Sequence, residues 1–109
     1  MFNREKLDNL LLELGFAENL TGTRLIRDAA ELYHPGCSVV KCLYAALAVA
    51  HSSTPVRVER AIRHAIEVAW MRGNVDAQRR IFGYTVNPSR GVPTNSELIS
   101  RLARLCYAD

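Results

Sequence analysis

The sequence predicts an all-α fold with a helix-turn-helix in its middle. Three observations predict it. Apolar residues recur at helical spacing in six segments of the 109-residue chain. No stretch of useful length alternates apolar and polar residues as a half-buried strand does. Two consecutive central helices are joined by a turn only a few residues long, and the second opens with a cluster of cations.

Each element has its own signals. Asn3 caps a first helix whose stripe is Leu7, Leu10, Leu11 and Leu14, and Gly15 stops it. Thr21-Gly22-Thr23 opens a second, with Leu25, Ile26, Ala29, Ala30 and Tyr33 on one face and His34-Pro35-Gly36 at its end. Residues 38–50 read as an apolar third helix, followed by the turn His51-Ser52-Ser53. Thr54 caps the fourth helix, with Pro55 at its first position where a missing N–H costs nothing. It runs to about Arg72 and stops at Gly73-Asn74. A short helix fits 75–82, residues 82–86 look extended, and 87–93 is a loop rich in Pro, Gly and Ser. Thr94 with Glu97 makes a capping box for a last helix over 95–107. The helix-turn-helix covers about 41–72 of what reads as a single domain, 1–109.

Charge is unevenly spread. The formal net charge is +3, yet residues 1–36 carry −2 and residues 37–109 carry +5. The cations are 12 Arg and two Lys, and Arg suits fork-like pairing with phosphates and base edges. A basic C-terminal two-thirds points to an anionic partner. No apolar run approaches a membrane span, and the start MFNREK has no apolar segment of a signal peptide. An odd count of cysteines (Cys37, Cys42 and Cys106) then fits reduced thiols in the cytoplasm.

The helix 55–72 is the informative one. Val58, Ala61, Ile62, Ala65 and Ala69 fall on one arc and form its buried stripe. Arg57, Glu59, Arg60, Arg63, His64 and Glu67 lie on the other side. Three arginines and a histidine in the first turns, after a tight turn and an apolar helix, are what base reading in a major groove asks for. Arg forks pair with guanine O6 and N7, and a Glu accepts from cytosine N4. The bland alternative is a solvated face, because Glu59–Arg63 and Arg63–Glu67 are i,i+4 pairs that support any exposed helix.

The run RVERAIRHAIEVAW (57–70), then Arg72-Gly73-Asn74, Phe82-Gly83-Tyr84-Thr85-Val86 and Pro93-Thr94-Asn95-Ser96-Glu97, resembles one family. It is similar to the DNA-binding C-terminal effector domain of the sporulation master response regulator, stage-zero sporulation protein A. Residues 38–54 align without gaps, through Ser38, Lys41, Leu43, Tyr44, Ala48 and Thr54. The resemblance implies a six-helix, winged-helix-like response-regulator effector domain that binds short promoter boxes, often as tandem copies. It implies DNA contacts by Arg57, Glu59, Arg60, Arg63 and His64, and a contact to the RNA polymerase sigma subunit by Gly73, Asp76, Phe82 and Val86. The family's lysine before the Pro-Thr-Asn-Ser-Glu motif is Val92 here, and its Lys-Lys pair is Val49-Ala50. Flanking phosphate contacts are therefore expected to be weaker, or carried by Arg79, Arg80 and Arg90. A receiver domain needs more residues than the chain has, so an effector domain without one is expected, monomeric in solution and pairing on tandem boxes. A dimer that exchanges the last helix through the 87–93 loop is the other oligomeric possibility.

Rival classes are weaker. His34, Cys37, Cys42 and His51 are close in sequence, but not at zinc-finger spacing, and Cys42 beside Leu43 reads as a small buried hydrophobe. No metal and no cofactor is expected. His64 and Glu67 alone do not make an enzyme, with no nucleophile motif and no phosphate loop. Trp70 is expected to pack against a neighbouring helix. The serious alternative is a protein-interaction module, an antagonist of a full-length relative with weak DNA binding, using the aliphatic helix 38–50 and the last helix.

Overall fold

Asn3 starts the first helix by accepting a hydrogen bond on its side chain from the Lys6 N–H at 2.9 Å, and Gly15, at φ 95°, ends it in the left-handed region. The structure is a computed structural model that describes residues 1–36, 38, 42–83 and 91–107. Its helices run α1 (Arg4–Leu14), α2 (Thr21–Leu32), α3 (Tyr44–Ala50), α4 (Pro55–Arg72), α5 (Val75–Phe82) and α6 (Asn95–Cys106). Among the described residues the only strand-like pairing is an isolated antiparallel bridge, Phe2 to Tyr107.

The apolar stripes read from the sequence meet in one core. Leu7, Leu14, Ile26, Leu47, Val58, Ile62, Leu98, Ile99 and Leu102 are fully buried. Each such side chain contributes roughly 1.5–3 kcal/mol by leaving water. The last helix spends its apolar face here, leaving little of that face for a partner. Trp70 packs edge-on between Phe16 and Phe82, at ring-centroid distances of 6.4 and 5.4 Å.

α4 is the central element, and α2 lies against it closely enough to require glycine. A Cβ on Gly22 would stand 1.9 Å from the Ala61 carbonyl oxygen and 2.8 Å from the Ala65 Cβ. A second close approach fixes the far end of α4. A Cβ on Gly73 would stand 2.2 Å from the Leu14 carbonyl oxygen, and one on Gly15 would stand 2.6 Å from the Gly73 Cα.

The third helix differs from the expected 38–50. Among the described residues of that segment, regular α-helix covers Tyr44–Ala50. Ser38 is outside it, and the Leu43 N–H bonds the Ser38 carbonyl five residues back at 3.2 Å, a wide π-type turn at Cys42 and Leu43. Residues 37 and 39–41 lie outside the described residues, as do 84–90. The expected extended segment 82–86 and most of the 87–93 loop therefore fall there too; Phe82 itself closes α5. Cys42 is exposed rather than buried: it stands in that wide turn, ahead of the regular helix, and the next two residues, Leu43 and Tyr44, take the buried side.

Between α3 and α4 the chain turns in four residues. Ser52 takes a left-handed conformation, φ 51°, while the Ser53 N–H reaches the Ala48 carbonyl at 2.8 Å. His51 fixes this turn to α2 through Nε2 and the Asp28 carboxylate, 2.7 Å apart.

Candidate nucleic-acid interface

Thr54 sets the start of α4: its hydroxyl oxygen accepts from the Arg57 N–H at 3.2 Å, and Pro55 occupies the first helical position. The helix then buries Val58, Ile62, Ala65, Ile66 and Ala69. Four of the five residues expected in the stripe are among these; Ala61 is half-buried and Ile66 joins them. Burying that arc forces the opposite one outward. Arg57, Arg60, Arg63, His64 and Glu67 are all exposed, and Glu59 is half-buried at the edge.

Within the exposed arc the cations are not equivalent. Arg60 lies nearly opposite the buried stripe by helical periodicity. Arg57 and Arg60 have no carboxylate partner among the described residues, while Arg63 is ion-paired with Glu59, one turn before it. Glu59, Arg63 and Glu67 line a groove shared with Thr94, Asn95 and Ser96 at the start of α6. One flank of the arc is thus bounded by α6, and the other faces solvent.

The start of α6 carries a contact that the sequence did not disclose. Thr94 caps the helix reciprocally with Glu97, as expected. The next residue, Asn95, is buried, and its Nδ2 donates to the Tyr44 hydroxyl oxygen at 2.9 Å and to the Glu59 carbonyl at 3.0 Å. One amide group joins α6 to both helices of the helix-turn-helix. Burial pushes the Tyr44 phenol above its ordinary range, against the opposing pull of the Asn95 hydrogen bond and the nearby Arg63 charge.

The residues expected at a sigma contact divide three ways. Asp76 is exposed in the first turn of α5. Gly73 is explained by the close backbone approach described above, and Phe82 is 2% exposed under Trp70, so its ring is closed to a partner in this conformation. Val86 lies outside the described residues, as does Arg90. Nearby, Arg79 is exposed and Arg80 pairs with Glu13 of α1. At the positions where lysines were expected, Val49 is 83% exposed and Val92 packs against the core. Among the described residues no group of three or more His, Cys, Asp or Glu is placed to hold a metal, and no described helix is long and apolar enough to cross a membrane.

Among the described residues, six helices without a sheet, a short-turn helix pair at the centre and an exposed arginine face on its second helix define a helix-turn-helix DNA-binding domain. The family model described as sporulation initiation factor Spo0A C terminal matches residues 7–105, nearly the whole chain. The chain belongs to this family, whose members are DNA-binding transcription regulators of sporulation rather than enzymes.

Proposed function

We propose that the chain is a sequence-specific promoter reader, with α4 lying in the major groove and Arg57, Glu59, Arg60, Arg63 and His64 facing the base edges. The observation that carries the reading is the exposed arc in the first three turns of a capped helix, in which Arg57 and Arg60 have no carboxylate partner among the described residues. The N-terminal end of α4, exposed at Thr54, Pro55 and Val56, also favours a nearby phosphate. On this reading the domain spans 1–109, works with the DNA in the cytoplasm, and is monomeric until tandem boxes hold two copies side by side at an effective concentration near ~1 mM. Among the described residues of the expected sigma contact, Asp76 on α5 is the exposed one, with Gly73 and Phe82 shaping the surface from within.

The test is a titration of Arg60→Ala on a box selected from random duplexes and on a scrambled duplex. Loss of one Arg–base pair costs about 1–3 kcal/mol on the box and little on the scramble. A variant that keeps wild-type selectivity overturns the assignment. Stoichiometry in the same titrations, with light scattering of the free protein, reports the oligomeric state.

A second reading, the antagonist that binds a relative rather than DNA, is favoured by one feature. Ala45, Ala46, Val49 and Ala50 leave the outward side of α3 apolar and exposed. Absence of any mobility shift with selected DNA at low salt would favour it over promoter reading.

A further inference from the structure

We propose that Asn95 is a positioning residue for base reading: its amide fixes the rotation of α4 about its axis and so aims Arg60 and Arg63. The inference rests on the reading of α4 as the recognition helix and adds to it a device outside that helix. Three observations carry it. Asn95 is 9% exposed and spends both amide protons on other helices, one on the Tyr44 hydroxyl of α3 and one on the Glu59 carbonyl of α4. The Glu59 carbonyl belongs to the second turn of α4, between Arg57 and Arg60, so the bond pins the part of the helix that carries the reading face. The Glu59 side chain in turn holds Arg63, which places Asn95 one residue behind an ion pair on that face. A carbonyl has two lone pairs, so the Asn95 bond adds to the helical bond rather than replacing it.

The contact differs in kind from ordinary core packing. Apolar side chains resist separation of α3, α4 and α6 but tolerate small rotations of one helix against another. Two directed hydrogen bonds from a single planar amide do not, because they weaken steeply off axis. A base-reading Arg needs that directionality, since a bidentate pair with guanine is lost on a small rotation.

The test compares Asn95→Ala, Asn95→Asp and Tyr44→Phe with wild type and with Arg60→Ala, at a temperature where circular dichroism shows every variant folded. Asn95→Asp keeps the shape and suits a helix start, but it has no amide donor for the Glu59 carbonyl. Affinities are measured for a box selected by the wild type and for a scrambled duplex of equal length and salt. Both Asn95 variants should lose roughly tenfold on the box, comparable to one impaired Arg–base pair, with less than about twofold change on the scramble. Tyr44→Phe, which leaves the Glu59 arm intact, should fall between them and wild type. A merely structural role would lower the melting temperature and leave the box-to-scramble ratio unchanged; that result overturns the proposal. If Arg60→Ala collapses the ratio and the Asn95 variants do not, the recognition-helix reading stands and the Asn95 role fails. If Arg60→Ala also leaves it unchanged, the reading itself fails and the proposal with it.

Discussion

Glu59 is the residue whose role depends most on its neighbours. Its carboxylate pairs with Arg63, and its carbonyl takes the Asn95 amide. The pair is open to water on the Arg63 side and only half-buried on the Glu59 side, so its direct contribution to stability is small, about 0–1 kcal/mol. Its consequence for binding is larger, because a paired Arg must leave its carboxylate before it can serve a phosphate or a base. Glu59→Gln removes the charge and keeps the size. It should raise affinity for scrambled duplex several-fold, lower the preference for the selected box, and leave the melting temperature within about 4 °C. Equal changes on both duplexes would place Glu59 outside the reading surface. The arginine face was legible in the sequence because periodicity assigns sides of a helix with little ambiguity. Asn95 was not. An Asn after a Thr cap reads as ordinary helix-start polarity, and nothing local signals that its amide reaches residues 36 and 51 positions away. Gly73 and Phe82 show the converse: residues expected to meet a partner are held by Gly15, Leu14 and Trp70.

At the scale of elements, caps and stripes decided most of the fold in advance. Asn3, Gly15, Thr54, Pro55 and the Thr94–Glu97 box all mark the helix ends they were expected to mark. The third helix is where local signals failed. Ser38 looks like a start residue for the whole segment, yet the bond from Leu43 back to Ser38 marks a wide turn where an unbroken helix was expected. The α2–α4 contact also hides in the sequence, since Gly22 looks like a weak point in a helix when it is the site of closest approach. Gly22→Ala improves helix propensity by about 1 kcal/mol. Its Cβ, however, would meet the Ala61 carbonyl at 1.9 Å, and that atom belongs to the α4 backbone and cannot swing aside. The clash should dominate, destabilising by about 3 kcal/mol and lowering the melting temperature by at least about 10 °C. A more stable variant would mean that α2 and α4 sit farther apart than described.

Across the whole molecule, the sequence asymmetry in charge becomes an asymmetry in pairing. Four of the five acids of the first two helices are occupied internally: Asp8 holds Arg27, Asp28 and Glu31 hold Arg4, Asp28 also meets His51, and Glu13 holds Arg80. Arg57, Arg60, Arg72, Arg79 and Arg104 on α4, α5 and α6 have no carboxylate partner among the described residues. Lys6 on α1 and Arg24 on α2 are also without a carboxylate partner among the described residues, so what sets α4 apart is the spacing of its cations on one exposed face, and Val49 and Val92 stand at flanking positions where lysines were expected. Each phosphate neutralised on duplex DNA contributes about −0.9 to the slope of log affinity against log salt. With three arginines in the first turns of α4 and one or two more beyond them, the slope should lie between roughly −3 and −5. Base contacts release few ions, so selectivity for the box should fall much less with salt than affinity does. Titrations from about 50 to 200 mM salt on both duplexes measure the two quantities together. A slope near −8 would require a basic surface beyond α4, and Arg79→Ala would then be the first variant to flatten it, by about one.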